Sequence, residues 1–121
     1  MTAIHSNGRV YGLTLTGADF HDRWIQRLSC FTGLRSLELY GTNVSEDGLF
    51  QLLTLSQLES IRLDGNRITD KTLDRLGKLS QLRELHIVYA QNVTDEAVRR
   101  LRIARPELML TTERPPSVEQ P

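Results

Sequence analysis

The sequence predicts an α/β solenoid of about four repeats and a terminal strand, with a parallel concave sheet and short convex helices. The first observation behind this prediction is a 24-residue period in the apolar residues, seen in Leu34, Leu58 and Leu82. The second is a change of apolar spacing within each period, and the third is a capping residue before each helical stretch. Periods of about 20 to 29 residues are typical of units that bury a core only when stacked.

The start of each period predicts a strand, because its apolar residues alternate as Leu37 and Leu39 do and so share one face. The spacing then becomes threefold, and Leu73, Leu76 and Leu79 form one stripe of a short helix. A parallel crossover needs such a connecting element. We therefore expect repeats near residues 10–33, 34–57, 58–81 and 82–106, followed by a last strand at 108–112.

Helix starts are marked by hydroxyl side chains that can accept hydrogen bonds from the first free N–H groups, namely Ser45, Thr69 and Thr94. Acidic residues follow them, as Asp70 and Asp95 do. These carboxylates place negative charge at the positive end of the helix dipole.

Three segments combine these features: Asn43–Leu49, Asn66–Leu73 and Asn92–Val98. They resemble leucine-rich repeats, and are similar to the bacterial and cysteine-containing types in which Thr-Asp precedes a short helix. The resemblance spans roughly residues 8–112 and implies the solenoid, but it implies no particular function because the family is defined by its core. The chain departs from the family where Asn is common, since Ala18 and Ala90 stand there, and one extra residue lies within 89–92.

Both ends of the predicted domain, residues 1–112, need covering. Asn-Gly at residues 7–8 predicts a hairpin over residues 2–15 that caps the first edge. Trp24 is expected to pack under this hairpin, with a binding anchor as the alternative. The last strand would be an exposed sheet edge, and the proline-rich residues 113–121 are expected to be a disordered tail.

Composition narrows the function classes. The 121 residues predict one domain, and fifteen basic against fifteen acidic residues leave no global field for nucleic acid or anionic lipid. No apolar run reaches about 18 residues, and the first residues lack a secretory signal pattern. The single Cys30 cannot form an internal disulfide, which favours a reducing, cytoplasmic location.

Polar residues that alternate with the strand leucines are predicted to face outward on the concave sheet. The predicted protein-binding residues are Glu38, Tyr40, Arg62, Asp64, Glu84, His86 and, in a loop, Tyr89. Tyrosine and arginine are enriched at binding hot spots. The leading expectation is therefore a non-enzymatic adaptor or scaffold that binds a partner protein. The alternative is a solvated face on which Glu38 and Arg62 form a weak surface ion pair.

Two other functions stay open. A structural subunit could dock into a larger complex through the last strand or a basic patch made of Arg99, Arg100, Arg102 and Arg105. Nucleic acid is not expected there, because no aromatic stacking platform accompanies the arginines. A metal or catalytic site at Asp64, Glu84 and His86 is remote, since no zinc, phosphate-loop or nucleophile motif is present. No cofactor or metal is expected.

Overall fold

The computed structural model of the chain describes residues 2–6, 9–17, 23, 33–42, 45–52, 57–64 and 68–113. In this part of the chain the strands are β1 (Thr2–Ser6), β2 (Arg9–Thr16), β3 (Ser36–Tyr40), β4 (Ser60–Asp64), β5 (Glu84–Val88) and β6 (Met109–Glu113). The helices are α1 (Glu46–Leu52), α2 (Asp70–Leu76) and α3 (Asp95–Ala104).

All six strands form one sheet in the order of the chain. The five strands β2 to β6 are parallel, and α1, α2 and α3 lie between successive strands from β3 onward. The predicted α/β class, a parallel sheet alternating with short helices, is confirmed. Because the pairing is sequential, residues one period apart become neighbours, and Leu13, Leu37, Ile61 and Leu85 form one row.

The core lies between the sheet and the helices. Strand residues such as Leu37, Ile61 and Leu85 are at most 1% exposed, and Leu73 and Leu76 of α2 are fully buried. Burying one leucine stabilises the fold by about 1.5–3 kcal/mol. The alternating apolar residues of the strands and the threefold-spaced apolar residues of the helices thus pack into the same core layer.

At the N-terminal edge, β1 pairs antiparallel with β2, with Thr2 opposite Thr14 and Ser6 opposite Arg9. At the other edge, β6 lies one residue later than the predicted strand at 108–112. Glu113, expected in the tail, pairs with Val88 instead, because one more residue of extended chain completes the ladder to β5. Trp24, Cys30 and the remaining tail lie outside the described residues.

The predicted capping residues lie at the helix starts. The Ser45 Oγ accepts the Gly48 N–H at 3.0 Å, and the Thr94 Oγ1 accepts the Ala97 N–H at 3.1 Å. At the start of α2 the Thr69 N–H donates to the hydroxyl of Thr72. These bonds satisfy N–H groups that the first helical turn leaves free.

Acidic residues in the first helical turns also join one helix start to the next. Glu46 accepts hydrogen bonds from the hydroxyls of Thr69 at 2.5 Å and Thr72 at 2.6 Å. Asp70 in turn accepts the N–H and the hydroxyl of Thr94, each at 2.8 Å. The hydroxyls of Thr69 and then Thr72 lower the pKa of Glu46, and the N–H and then the hydroxyl of Thr94 lower the pKa of Asp70.

The lowered pKa values of Glu46 and Asp70 predict that the fold loses stability in acid. Because their native pKa values are lowered, their stabilising effect is complete above the ordinary carboxyl pKa of about 4 and is lost as pH falls through the lowered values. We expect E46Q/D70N to lower the free energy of unfolding at pH 7 by about 1 kcal/mol per site, and to flatten the decline of stability below pH 4. Urea unfolding across pH measures both effects. E96Q, which removes a charge from an exposed surface pair, is the control and should lose stability in acid as the wild type does. An equally steep loss of stability for E46Q/D70N would contradict the prediction.

Candidate functional site

The sheet face opposite the core carries the side chains that alternate with the buried strand leucines. We call it the open face, and it comprises Gly12, Thr14, Thr16, Ser36, Glu38, Tyr40, Ser60, Arg62, Asp64, Glu84, His86, Val88, Met109, Thr111 and Glu113. The register brings the predicted strand residues onto this one surface, with Arg62 between Glu38 and His86. Tyr89 directly follows Val88, the last open-face residue of β5, and we call this end of the strand the Tyr89 rim.

Tyr40 and Glu38 form a hydrogen-bonded unit within β3. The Tyr40 hydroxyl donates to the Glu38 carboxylate at 3.2 Å, and the Thr14 hydroxyl reaches the same carboxylate at 3.5 Å. Partial burial, followed by the nearby negative charge of Glu38, raises the pKa of Tyr40. Tyr40 therefore remains a neutral phenol, able to donate a hydrogen bond, at any physiological pH.

Arg62 forms its ion pair with Glu84, with Nη2 and Oε1 3.3 Å apart. The ion pair expected between Glu38 and Arg62 is therefore wrong: the two residues are in register, but Arg62 pairs with Glu84. The long Arg62 side chain reaches the diagonal position on β5 instead, and the Glu38 carboxylate accepts the tyrosine hydroxyl. Both members of the observed pair are close to half exposed, so its net stabilisation is at most about 1 kcal/mol.

His86 lies beside Glu113 of the last strand, with Nε2 3.7 Å from Oε1. The alternative metal or catalytic site was expected at Asp64, Glu84 and His86. Two of these residues have other partners, since Glu84 pairs with Arg62 and His86 pairs with Glu113. Within the described ranges no group of three or more His, Cys, Asp or Glu side chains is arranged to hold a metal ion.

Tyr89 has an unusual backbone conformation, with a φ of 56°. Gly17 and Gly41 occupy the equivalent positions of earlier periods, with φ of 100° and 64°, and the sequence has glycine again at position 65, outside the described ranges. A non-glycine residue in the left-handed region costs about 1–2 kcal/mol. The Tyr89 side chain is 50% exposed, so burial of the ring does not explain this choice.

The chain around Tyr89 is nevertheless well bonded. The Ala90 N–H donates to the Glu113 carbonyl at 3.0 Å, and the Gln91 N–H donates to the Tyr89 carbonyl at 2.8 Å. The backbone N–H of Ala90, which stands where leucine-rich repeats often have Asn, is therefore satisfied by the neighbouring strand. Sequence reasoning selected Tyr89 as a loop residue, but the break in the glycine spacing at this position was the stronger signal.

The predicted basic patch is only partly a surface. Arg99, Arg100 and Arg102 are exposed on α3, and Arg100 pairs with Asp74 at 3.7 Å and Glu96 at 3.8 Å. These three arginines remain candidates for docking.

Arg105 is not part of that exposed patch, so the prediction that placed it there is wrong. Its side chain is 13% exposed and donates hydrogen bonds to the carbonyls of Gly77 at 3.1 Å, Leu79 at 2.8 Å and Leu82 at 2.8 Å. It also pairs with Glu107. Because α3 ends one residue earlier, the guanidinium can turn back and bind the loop between α2 and β5.

Arg105 is thus expected to be structural. R105A should lower the free energy of unfolding by about 2–3 kcal/mol, because it leaves three carbonyls without their charged donor. R105K should be intermediate, since an ammonium cannot present the same planar fork. R102A, at an exposed site on the same helix, should change stability by no more than about 0.5 kcal/mol. Chemical denaturation of the three variants measures this, and equal values for R105A and R102A would contradict the assignment.

The strain at Tyr89 predicts that glycine is more stabilising than alanine at this position, the reverse of the order at an ordinary strand position. Y89G should be more stable than Y89A by about 1 kcal/mol, since only glycine escapes the left-handed penalty. At Met109, an exposed position in β6, glycine should instead be less stable than alanine by about 0.5–1 kcal/mol. Thermal unfolding of the four variants compares the two sites, and the same order at both would show that Tyr89 is unstrained.

No protein-family model matches the chain, and no curated protein is significantly similar to it. Among the described helices, none has the length and apolar character needed to cross a membrane.

Proposed function

We propose that the chain is a short leucine-rich-repeat solenoid that acts as a non-enzymatic protein-interaction module in the cytoplasm. The open face is its concave binding surface. The observation that carries this proposal is the register, which brings Tyr40, Arg62 and His86 of three different strands onto one accessible surface. Buried tyrosine and arginine contacts are the commonest hot spots of protein interfaces.

The size of the face also favours a protein partner that reaches the rim. Five parallel strands at about 4.8 Å spacing give a width of roughly 20 Å, whereas a standard interface needs about 800 Å² from each partner. The strands alone supply less than that. A partner that also covers Tyr89, with its half-exposed ring, would obtain the missing area.

A second function, docking into a larger assembly, is favoured by exposed apolar side chains near the C-terminal end of the described chain. Ile103 of α3 is 74% exposed and Met109 of β6 is 68% exposed. Ile103 lies on the helical side and Met109 on the open face, so each would extend a different contact surface. Arg99 and Arg102 lie on the same helix as Ile103 and would add charge to such a contact.

The test is affinity capture from a cell extract with Y40A/R62A beside the wild type. We expect the captured partner to bind the variant at least about tenfold more weakly, while the melting temperature stays within a few degrees because both side chains are partly exposed. R99A/R102A, on the helical side, is the control and should retain the partner.

The opposite pattern would favour the second function. A partner lost by R99A/R102A and retained by Y40A/R62A would place binding on α3. A large fall in melting temperature for Y40A/R62A would show that these residues are structural, and the open-face proposal would then fail.

A further inference from the structure

The open face has a charge that the whole chain does not have. The chain is formally neutral with fifteen basic and fifteen acidic residues. The open face carries the carboxylates of Glu38, Asp64, Glu84 and Glu113 but only one guanidinium, that of Arg62, so its formal charge is −3 with histidine neutral. Complementary charge steers association and selects partners, so this surface fits a basic partner and repels nucleic acid.

The negative charge continues to the rim at Tyr89. Val88, the residue before Tyr89, is in register with Asp64 on one side and Glu113 on the other. The half-exposed ring of Tyr89 therefore follows a row with an acidic residue on each flanking strand. An aromatic face attracts ammonium and guanidinium groups, and the attraction grows as water is excluded.

The backbone at Tyr89 gives an independent reason to look for a role. The equivalent positions with a positive φ, Gly17 and Gly41, carry no side chain, and the fold thus tolerates the absence of one. A large exposed side chain in a strained conformation is a feature that interaction sites retain. The aromatic ring itself is then what this position supplies.

We propose that the Tyr89 rim of the open face binds a lysine or arginine side chain from an extended basic segment of a partner protein. The cation would lie over the Tyr89 ring, with Asp64 and Glu113 contributing negative charge from the flanking strands. This inference rests on the proposed function and adds the chemical class of the partner. Glu113 pairs with the imidazole of His86 at 3.7 Å, and a stronger cation would compete for that carboxylate.

The experiment is an NMR titration of the ¹⁵N-labelled full chain with a capped peptide in which Lys and Ser alternate. About six to eight extended residues span the roughly 20 Å of sheet. A peptide with Glu in place of Lys is the matched probe. We expect the Lys peptide to shift the amide signals of Val88, Tyr89 and Glu113 more than those of Ile103 on α3, and the Glu peptide to shift none of them.

Variants then test the rim itself. Y89G and E113Q should each weaken binding of the Lys peptide about two- to fivefold, the factor expected of one cation–π or partly exposed ionic contact. Y11S, which removes a partly exposed tyrosine elsewhere on the surface, and E96Q on α3 should leave binding unchanged. Y89G fits the backbone geometry of Gly17 and Gly41, so a loss of binding without a fall in melting temperature reports on the ring.

Three results would overturn the inference: no shift with the Lys peptide, shifts centred on α3, or equal binding by the wild type, Y89G and E113Q. The proposed function fails separately. A captured protein partner that is lost by Y40A/R62A but is insensitive to Y89G and to salt would leave the open face as the binding surface and reject the basic segment.

Discussion

The structure depends on one packing constraint, which is that no single 24-residue segment can bury both its strand leucines and its helix leucines. The core forms only when strands one period apart lie side by side, as Leu37, Ile61 and Leu85 do. Side-chain alternation in a strand then directs every intervening residue to the opposite face. Burial therefore determines which polar residues become neighbours, and the open face is a direct consequence of the core.

The helix starts reinforce the same period through polar contacts. Glu46 binds the two threonine hydroxyls at the start of α2, and Asp70 binds Thr94 at the start of α3. Each carboxylate interacts favourably with the dipole of its own helix. It also accepts hydrogen bonds from groups at the start of the next helix. The sequence predicted the first role from position alone. The second depends on the distance between neighbouring helices, which only the packed structure supplies.

The same distinction separates what could be predicted about the site from what could not. Which residues share the open face followed from alternation and period, because both are properties of the backbone. Which side chains touch did not follow, since Arg62 extends diagonally to Glu84 and Tyr40 turns back to Glu38. Arg105 looked like one more cation in a basic run. Its burial depends on where α3 ends and on three carbonyls about 25 residues away in the chain.

Arg105 and Tyr89 each have a role that the repeat pattern does not explain, and the two roles differ. Arg105 is largely shielded from solvent and donates hydrogen bonds to three loop carbonyls, so its role is structural. Tyr89 stands where earlier periods have glycine, carries backbone strain at its positive φ and is half exposed to solvent. A substitution that disfavours the fold and gains little burial persists when the exposed group has a use. The acidic residues on the flanking strands would favour a cationic side chain there, which is the use that we propose.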